Sequence, residues 1–182
     1  LAYRRDKTGA GVAPASWPDF WNTTKFRGRR AIRDFPVGNI EIALISLGLD
    51  PTQALYSSTL TRAQLESTVD RALKRFSEIS AQTVWWTTGD QLQRGLSSGD
   101  TPLAAAWSGR AMSAFVDVCP SQGVAECQVG AVPETALVST DWWVIPKNSA
   151  NADAADRLLN CMFSKDSIPA AKAFAEAQGY AV

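Results

Sequence analysis

The sequence contains no histidine in 182 residues. Histidine is the commonest general base near neutral pH, the commonest metal ligand, and the usual partner of a serine or cysteine nucleophile. Its absence excludes these arrangements together, and the remaining carboxylates and lysines show no spacing typical of a metal site or a nucleophile motif. The sequence therefore argues against an enzyme and predicts neither a metal nor a cofactor.

An excess of either charge is also lacking, because 18 Lys and Arg residues balance 18 Asp and Glu residues. Such a chain has no field that would attract nucleic acid, and the short basic stretch at residues 25–30 is better explained as a solvated loop that enters a strand. No apolar run approaches the roughly 20 residues needed to cross a bilayer. The composition is that of a globular protein with 46% hydrophobic residues.

Cysteine is scarce, with three residues in the chain. Cys119 and Cys127 bracket a polar segment that contains glycine, so they form either a disulfide or two unpaired loop thiols. A disulfide there would stabilise the fold by about 2.5 kcal/mol through chain entropy and would indicate an oxidising compartment. Cys161 lies in an apolar pattern that predicts a buried free thiol.

Residues 97–110, SSGDTPLAAAWSGR, form the stretch on which the rest of the sequence is best organised. A turn of Ser, Gly, Asp and Pro leads into a short apolar run, which predicts a buried strand that ends at Trp107. Ligands of open α/β sheets bind just beyond the carboxyl ends of the strands, so this strand end is a candidate site. The alternative is that Trp107 fills the core.

A β-α-β unit is predicted around this strand. Residues 83–86 form a strand, and the helix that follows Thr88 leads back to the central strand. The free N–H groups at the start of that helix, together with the Thr88 hydroxyl, are a candidate carboxylate site. Ordinary N-capping explains Thr88 equally well.

The rest of the chain alternates in the same way between helices and extended segments. An aromatic helix face follows Ser16, a helix ends at Gly48, and a capping box begins at Thr61. The remaining predicted elements are an extended segment at residues 1–6, a strand at 136–146, and helices after residue 151 and over 168–178.

Asp141 is the single acid inside the predicted strand at residues 136–146. A buried, unpaired carboxylate costs several kcal/mol, so Asp141 is expected either to meet a cation or to face a wet cleft.

Five motifs occur in a fixed order along the chain: SWPDFW at 16–21, LG at 47–48, SGD to WSG at 98–109, PE at 133–134, and DWWVIPKN at 141–148. In this order they resemble the extracellular solute-binding proteins of ABC importers, and most of all the spermidine/putrescine-binding group. The resemblance covers nearly the whole chain. It implies an α/β fold of the periplasmic-binding-protein type, a periplasmic location, and a ligand held in the cleft between two lobes.

The resemblance also implies a division of the chain. Residues 1–12 correspond to a crossing strand and linker, residues 13–135 to the second, three-layer α/β/α lobe, and residues 136–182 to a return segment of a partial first lobe. On this pattern the N-terminal part of the first lobe is missing. The apolar helix faces of the return segment are then expected to be covered by that missing polypeptide or by another copy.

Three ligand-binding residues are implied by the resemblance. Trp107 corresponds to a tryptophan that packs against the ligand chain, Asp141 to a carboxylate that receives an ammonium group, and Tyr180 to an aromatic residue on the closing side.

The chain departs from the family pattern at the other end of the ligand. The acidic pair of the polyamine-binding group falls near Phe35 and Gly38, with Asp34 adjacent, and Ser139 replaces an aromatic residue. A diamine needs a carboxylate at each end, and one end of that arrangement is lost here. Arg110 would instead suit a ligand with one amine and one acid group, unless it is a solvent-facing helix residue.

The sequence therefore predicts a protein that captures a small amine-bearing solute and delivers it to the membrane permease of an ABC importer. An enzyme on the same two-lobed scaffold, with Asp141 or Glu134 as acid or base, would reveal itself by turnover of the bound solute. A sensor domain with the same cleft is distinguished only by its surroundings, such as a fused kinase in place of a neighbouring permease.

Overall fold

The computed structural model describes residues 1–119 and 127–180. Two compact units, Leu1–Ala136 and Leu137–Val182, divide the chain. The strands of the first unit are β1 (Ala2–Arg4), β2 (Arg30–Arg33), β3 (Thr83–Trp86), β4 (Leu103–Ala104) and β5 (Val129–Ala131). Its helices are α1 (Arg5–Thr8), α2 (Trp17–Trp21), α3 (Asn39–Ser46), α4 (Pro51–Leu55), α5 (Arg62–Ser77), α6 (Gly89–Ser98) and α7 (Ser108–Val118).

The five strands form one mixed sheet in the order β3-β2-β4-β1-β5. β2 lies between β3 and β4 and is parallel to both, whereas β1 is antiparallel to β4 and β5. The backbone N–H of Ala105 donates to the Ala31 carbonyl at 2.9 Å and extends the contact of β4 with β2 past the short strand itself. The carboxyl ends of β2, β3 and β4 therefore meet at one edge of the sheet.

Helices cover both faces of this sheet. Successive residues of a strand point to opposite faces, and the two buried clusters follow that alternation. Ile32 and Leu103 pack with the aromatic side chains of α2 and with α3 and α5. Ala31 and Ala104 pack on the other face with Leu92 of α6 and with α7. This arrangement confirms the predicted α/β/α layering.

Arg30 at the start of β2 is fully buried and has three backbone carbonyls as partners. Its Nε donates to the Phe20 carbonyl at 2.9 Å, its Nη2 donates to that of Phe26 at 2.5 Å, and its Nη1 donates to that of Gly28. Burial lowers the pKa of Arg30 to about 10, so the side chain still carries its charge at neutral pH. The guanidinium therefore ties the end of α2 and the following loop to the sheet.

The helix boundaries agree with the capping patterns of the sequence. Gln64 and Thr61 form the predicted capping box of α5, with the Thr61 N–H donating to Gln64 Oε1 at 2.8 Å. Gly48, just beyond α3, has a φ of 76°, in the left-handed region that favours glycine. Ser16 precedes α2 as expected, but its side chain makes no capping hydrogen bond.

The structure joins Cys119 and Cys127 by a disulfide, with their Cα atoms 5.6 Å apart and both residues buried. The segment between them, residues 120–126, lies outside the described residues. Cys161 is free but exposed, so the prediction of a buried thiol was wrong. Its helix in the second unit has no buried residue.

The second unit contains α8 (Ala152–Met162) and α9 (Ile168–Gln178). The strand predicted at residues 136–146 is not formed; the segment pairs with no strand among the described residues, and Trp142 is 82% exposed. A strand needs a neighbouring strand to satisfy its backbone, which a local pattern does not supply. In the described part of the chain, no helix is long and apolar enough to cross a bilayer.

Replacing Arg30 by methionine is expected to lower the free energy of unfolding by about 2–4 kcal/mol, because three carbonyls lose their buried donor. Urea unfolding of the full-length protein measures this loss. Arg29, exposed one residue earlier, provides the matched control, and Arg29→Met should change the stability by no more than about 0.5 kcal/mol. Equal midpoints for the two variants would contradict the structural role of Arg30.

Candidate functional site

Four side chains meet where the parallel strands end. Arg33 ends β2, Phe35 follows it, Trp86 ends β3, and Trp107 follows β4. We call these four residues the strand-end cluster. It occupies the edge of the sheet at which ligands of open α/β folds bind.

Trp107 has one side in the core and another in solvent. Its ring meets that of Trp86 edge to face, with centroids 5.0 Å apart and an interplanar angle of 83°. Trp86 is buried among the residues packed under α6 and α7, whereas Trp107 is 39% exposed. Such a pair contributes about 0.5–1.5 kcal/mol beyond the area that it buries. The core thus holds Trp107 in place and leaves part of its ring available to a ligand.

Arg33 is a member of the cluster that the sequence analysis did not identify. Its guanidinium carbon lies 4.7 Å from the centroid of the Phe35 ring and 4.9 Å from that of Trp107. Among the described residues it has no ion pair and no side-chain hydrogen bond. A cation at the end of a predicted strand, two residues before an aromatic, was the available signal.

The turn after β2 is held by Asn39, a buried residue at the start of α3. Its Nδ2 donates to the carbonyls of Arg33, at 2.7 Å, and Phe35, at 2.8 Å. The N–H of Asp34 donates to the Trp86 carbonyl at 2.8 Å and continues the ladder between β2 and β3. Phe35 is 47% exposed and Asp34 is also exposed, so both predicted residues lie at the edge with the cluster.

Arg110 joins α7 to the start of α6. Its Nη1 lies 2.8 Å from Asp90 Oδ1 and donates to Gln93 Oε1 at 3.1 Å. Gly89 permits this approach, because a Cβ atom at that position would lie 2.5 Å from Arg110 Nε. The predicted carboxylate-binding arginine therefore already has a carboxylate partner.

Thr88 is the N-cap residue of α6. Its Oγ1 accepts from the Gln91 N–H at 3.4 Å, and Gln91 Oε1 accepts from the Thr88 N–H at 3.2 Å. Of the two alternatives that the sequence left open, capping is the role that this hydroxyl has in the structure.

Asp141 and Tyr180 belong to the second unit. Asp141 lies in the segment before α8 that forms neither helix nor strand, and it is exposed. Tyr180 is 40% exposed. It follows Gly179, the C-cap residue of α9, which has a left-handed φ of 68°. The ligand-binding roles that the sequence assigns to these two residues stay predictions.

Each unit has an open depression among its described residues. That of the first unit, of about 680 Å³, is lined by Arg29, Arg94, Thr101 and neighbouring residues, and that of the second unit, of about 330 Å³, lies at the start of α8. Neither is lined by a residue of the predicted site. Over residues 1–119 and 127–180, no group of three or more acidic or cysteine side chains is placed to hold a metal ion.

Comparison with known proteins assigns this architecture to a family. Residues 1–181 match the model of a family described as bacterial extracellular solute-binding protein. The chain is 29% identical over 159 residues to the gamma-aminobutyric acid-binding protein of Pseudomonas aeruginosa. This match covers 87% of this chain and 41% of that protein.

Solved structures show the same similarity. The Atu4243-GABA receptor superposes with a TM-score of 0.69 at 26% identity. The match covers 99% of this chain and 49% of the receptor chain. A second solved structure is that of the spermidine/putrescine transporter substrate-binding protein PotD of Streptococcus pneumoniae. It superposes with a TM-score of 0.62, and the match covers all of this chain and 49% of the PotD chain. At 16% identity this similarity shows the fold alone. The chain thus spans less than half the length of each of these relatives.

Replacement of Thr88 by valine is expected to lower the free energy of unfolding by about 1 kcal/mol, because α6 loses its cap. Thr88→Ser keeps the hydroxyl and serves as the control, with nearly wild-type stability. Urea unfolding followed by circular dichroism measures both. A valine variant as stable as the serine variant would show that the cap contributes nothing.

Proposed function

The chain belongs to the bacterial extracellular solute-binding protein family, and from this we propose that the protein binds a small solute with one amine and one carboxylate group and delivers it to the permease of an ABC importer. The solute would be held in the cleft between the two lobes. The proposal keeps the amine-bearing solute predicted from the sequence, together with the acid group that the departures from the polyamine-binding pattern favour at its other end.

Family membership confirms three of the sequence predictions. The fold is an α/β fold of the periplasmic-binding-protein type, as the structural relatives show. The family is one of solute-binding proteins and not of enzymes, and it is extracellular, in agreement with the predicted periplasmic location.

The observation that carries the proposal is the charge beside the aromatic surface at the strand ends. Arg33 lies against Phe35 and Trp107, and Asp34 is the acid adjacent to it in the chain. A diamine would bring a second ammonium group toward this cation. A carboxylate would pair with it instead, while the apolar chain of the solute packs on the exposed part of Trp107.

The amine of the solute is assigned to Asp141. An ammonium group that leaves water needs a carboxylate partner, and Asp141 is an exposed acid for which the sequence resemblance implies that role. Tyr180 would provide the second aromatic contact. Two of the relatives are named for gamma-aminobutyric acid, a solute that carries one amine and one carboxylate.

The mechanism needs no covalent step. Closure of the two lobes around the solute would exclude water from its ammonium and carboxylate groups, and the closed form would be the one that the permease receives. Reopening at the permease releases the solute unchanged.

A panel of solutes tests the chemical class. The melting temperature and tryptophan fluorescence of the full-length protein are measured with 4-aminobutanoate, 5-aminopentanoate, putrescine and spermidine. A solute at 100 times its Kd stabilises the folded state by about 2.7 kcal/mol, which is readily measured. Stabilisation by the amino acids supports the proposal, whereas stabilisation by the polyamines alone would contradict it.

Asp141→Asn is expected to weaken binding of 4-aminobutanoate by about tenfold or more, because the ammonium group loses its charged partner. Isothermal titration calorimetry of the full-length protein measures the loss. Asp70, an exposed acid on α5, provides the control, and Asp70→Asn should bind as the wild type does. Unchanged affinity of Asp141→Asn would remove Asp141 from the site.

A further inference from the structure

Two arginines of the first unit, Arg33 at the end of β2 and Arg110 after the end of β4, have different partners. Arg110 pairs through its Nη1 with Asp90, at 2.8 Å, and with Gln93. Arg33 contacts two aromatic rings but, among the described residues, no carboxylate and no hydrogen-bond acceptor. Of the two, Arg33 is therefore the guanidinium that no acid of the described chain engages.

The aromatic contacts of Arg33 leave its donors unused. Its guanidinium carbon lies over the rings of Phe35 and Trp107. A cation–π contact of this kind does not use the N–H groups, which stay available for hydrogen bonds. The side chain is half-buried, so water screens its charge less than it would at a fully exposed position. A planar carboxylate can pair with the free donors in bidentate geometry.

The backbone around Arg33 is also fixed. Arg33 is opposite Trp86 in the parallel ladder of β2 and β3, and its carbonyl accepts from the buried Asn39 at 2.7 Å. β2 is the middle strand of the three parallel strands, so its end lies at the centre of the ligand-binding edge. A group positioned in this way does not need to reorganise when a ligand arrives.

We propose that Arg33 binds the carboxylate of the solute and is the residue that selects an amino acid over a diamine. This inference rests on the proposed function. Arg110 then has a positioning role, in which its pairing with Asp90 holds α7 against the start of α6.

The positive charge of Arg33 would make the site selective for a carboxylate over an ammonium group. An ammonium group brought to Arg33 would meet an unpaired cation in a half-buried place, whereas a carboxylate would gain charge-assisted hydrogen bonds there. The same reasoning applies to an uncharged amide, which would lose the ionic part of the interaction but keep the shape. The amide analogue of a binding solute is therefore the probe that isolates the contribution of Arg33.

The test combines three solutes with three substitutions in the full-length protein. The solutes are 4-aminobutanoate, its neutral analogue 4-aminobutanamide, and putrescine, and the variants are Arg33→Gln, Arg110→Gln and, as a control at the opposite end of β2, Arg29→Gln. Calorimetric titration gives each Kd, and urea unfolding verifies that each variant is folded. If Arg33→Gln does not fold, Arg33→Lys replaces it, because lysine keeps the charge but loses the bidentate geometry.

The wild type is expected to prefer 4-aminobutanoate over the amide by about tenfold or more. Arg33→Gln should lose that preference, chiefly by weaker binding of the acid, and should bind putrescine better than the wild type does. Arg110→Gln and Arg29→Gln should keep the preference. Arg33→Lys should fall between the wild type and the glutamine variant.

Two results would overturn the assignment and leave the proposed function standing. In one, Arg33→Gln keeps the wild-type preference for the acid; in the other, Arg110→Gln is the variant that loses it. Failure of the wild type to bind 4-aminobutanoate, with putrescine bound instead, would contradict the proposed function itself, and the assignment of Arg33 with it.

Discussion

The parallel pairing of β2 with β3 and β4 is the constraint on which the site depends. Each parallel strand has to be followed by a crossover, so the loops that leave the three strands all start at the same edge. Arg33, Trp86 and Trp107 are far apart in sequence, and this pairing alone brings them into contact. The helices on both faces bury the sheet, and Asn39 at the start of α3 fixes the turn that follows β2.

The two arginines of β2 show how one strand divides structural and functional roles. Arg30, at the amino end, is fully buried, and its donors go to three carbonyls around the end of α2. Arg33, at the carboxyl end, contacts aromatic rings and has no hydrogen-bond acceptor among the described residues. They are three residues apart and so point to opposite faces of the sheet. The strand thus anchors the fold at one end and presents a cation at the other.

The strand-end cluster places an aromatic surface and a cation side by side, a combination suited to a solute with an apolar chain and an acid group. The departure from the polyamine-binding pattern at Phe35 and Gly38 acquires a physical meaning in this setting. Where a diamine needs a second acid, this chain has an aromatic residue that stacks on Arg33. The fold that this chain shares with a spermidine/putrescine transporter protein does not by itself determine the ligand.

The sequence by itself determined the local elements, since caps, turns and periodicity act within a few residues: the capping boxes at Thr61 and Thr88, the strand at residues 83–86, and the strand that leads to Trp107. Only the tertiary structure decided the contacts between distant segments. It decided for the disulfide between Cys119 and Cys127 over two free thiols and paired Arg110 with Asp90. Among the described residues it placed no acid against Arg33 and no partner strand beside residues 136–146. Pairing and burial depend on which segments meet in space, and no local pattern encodes that.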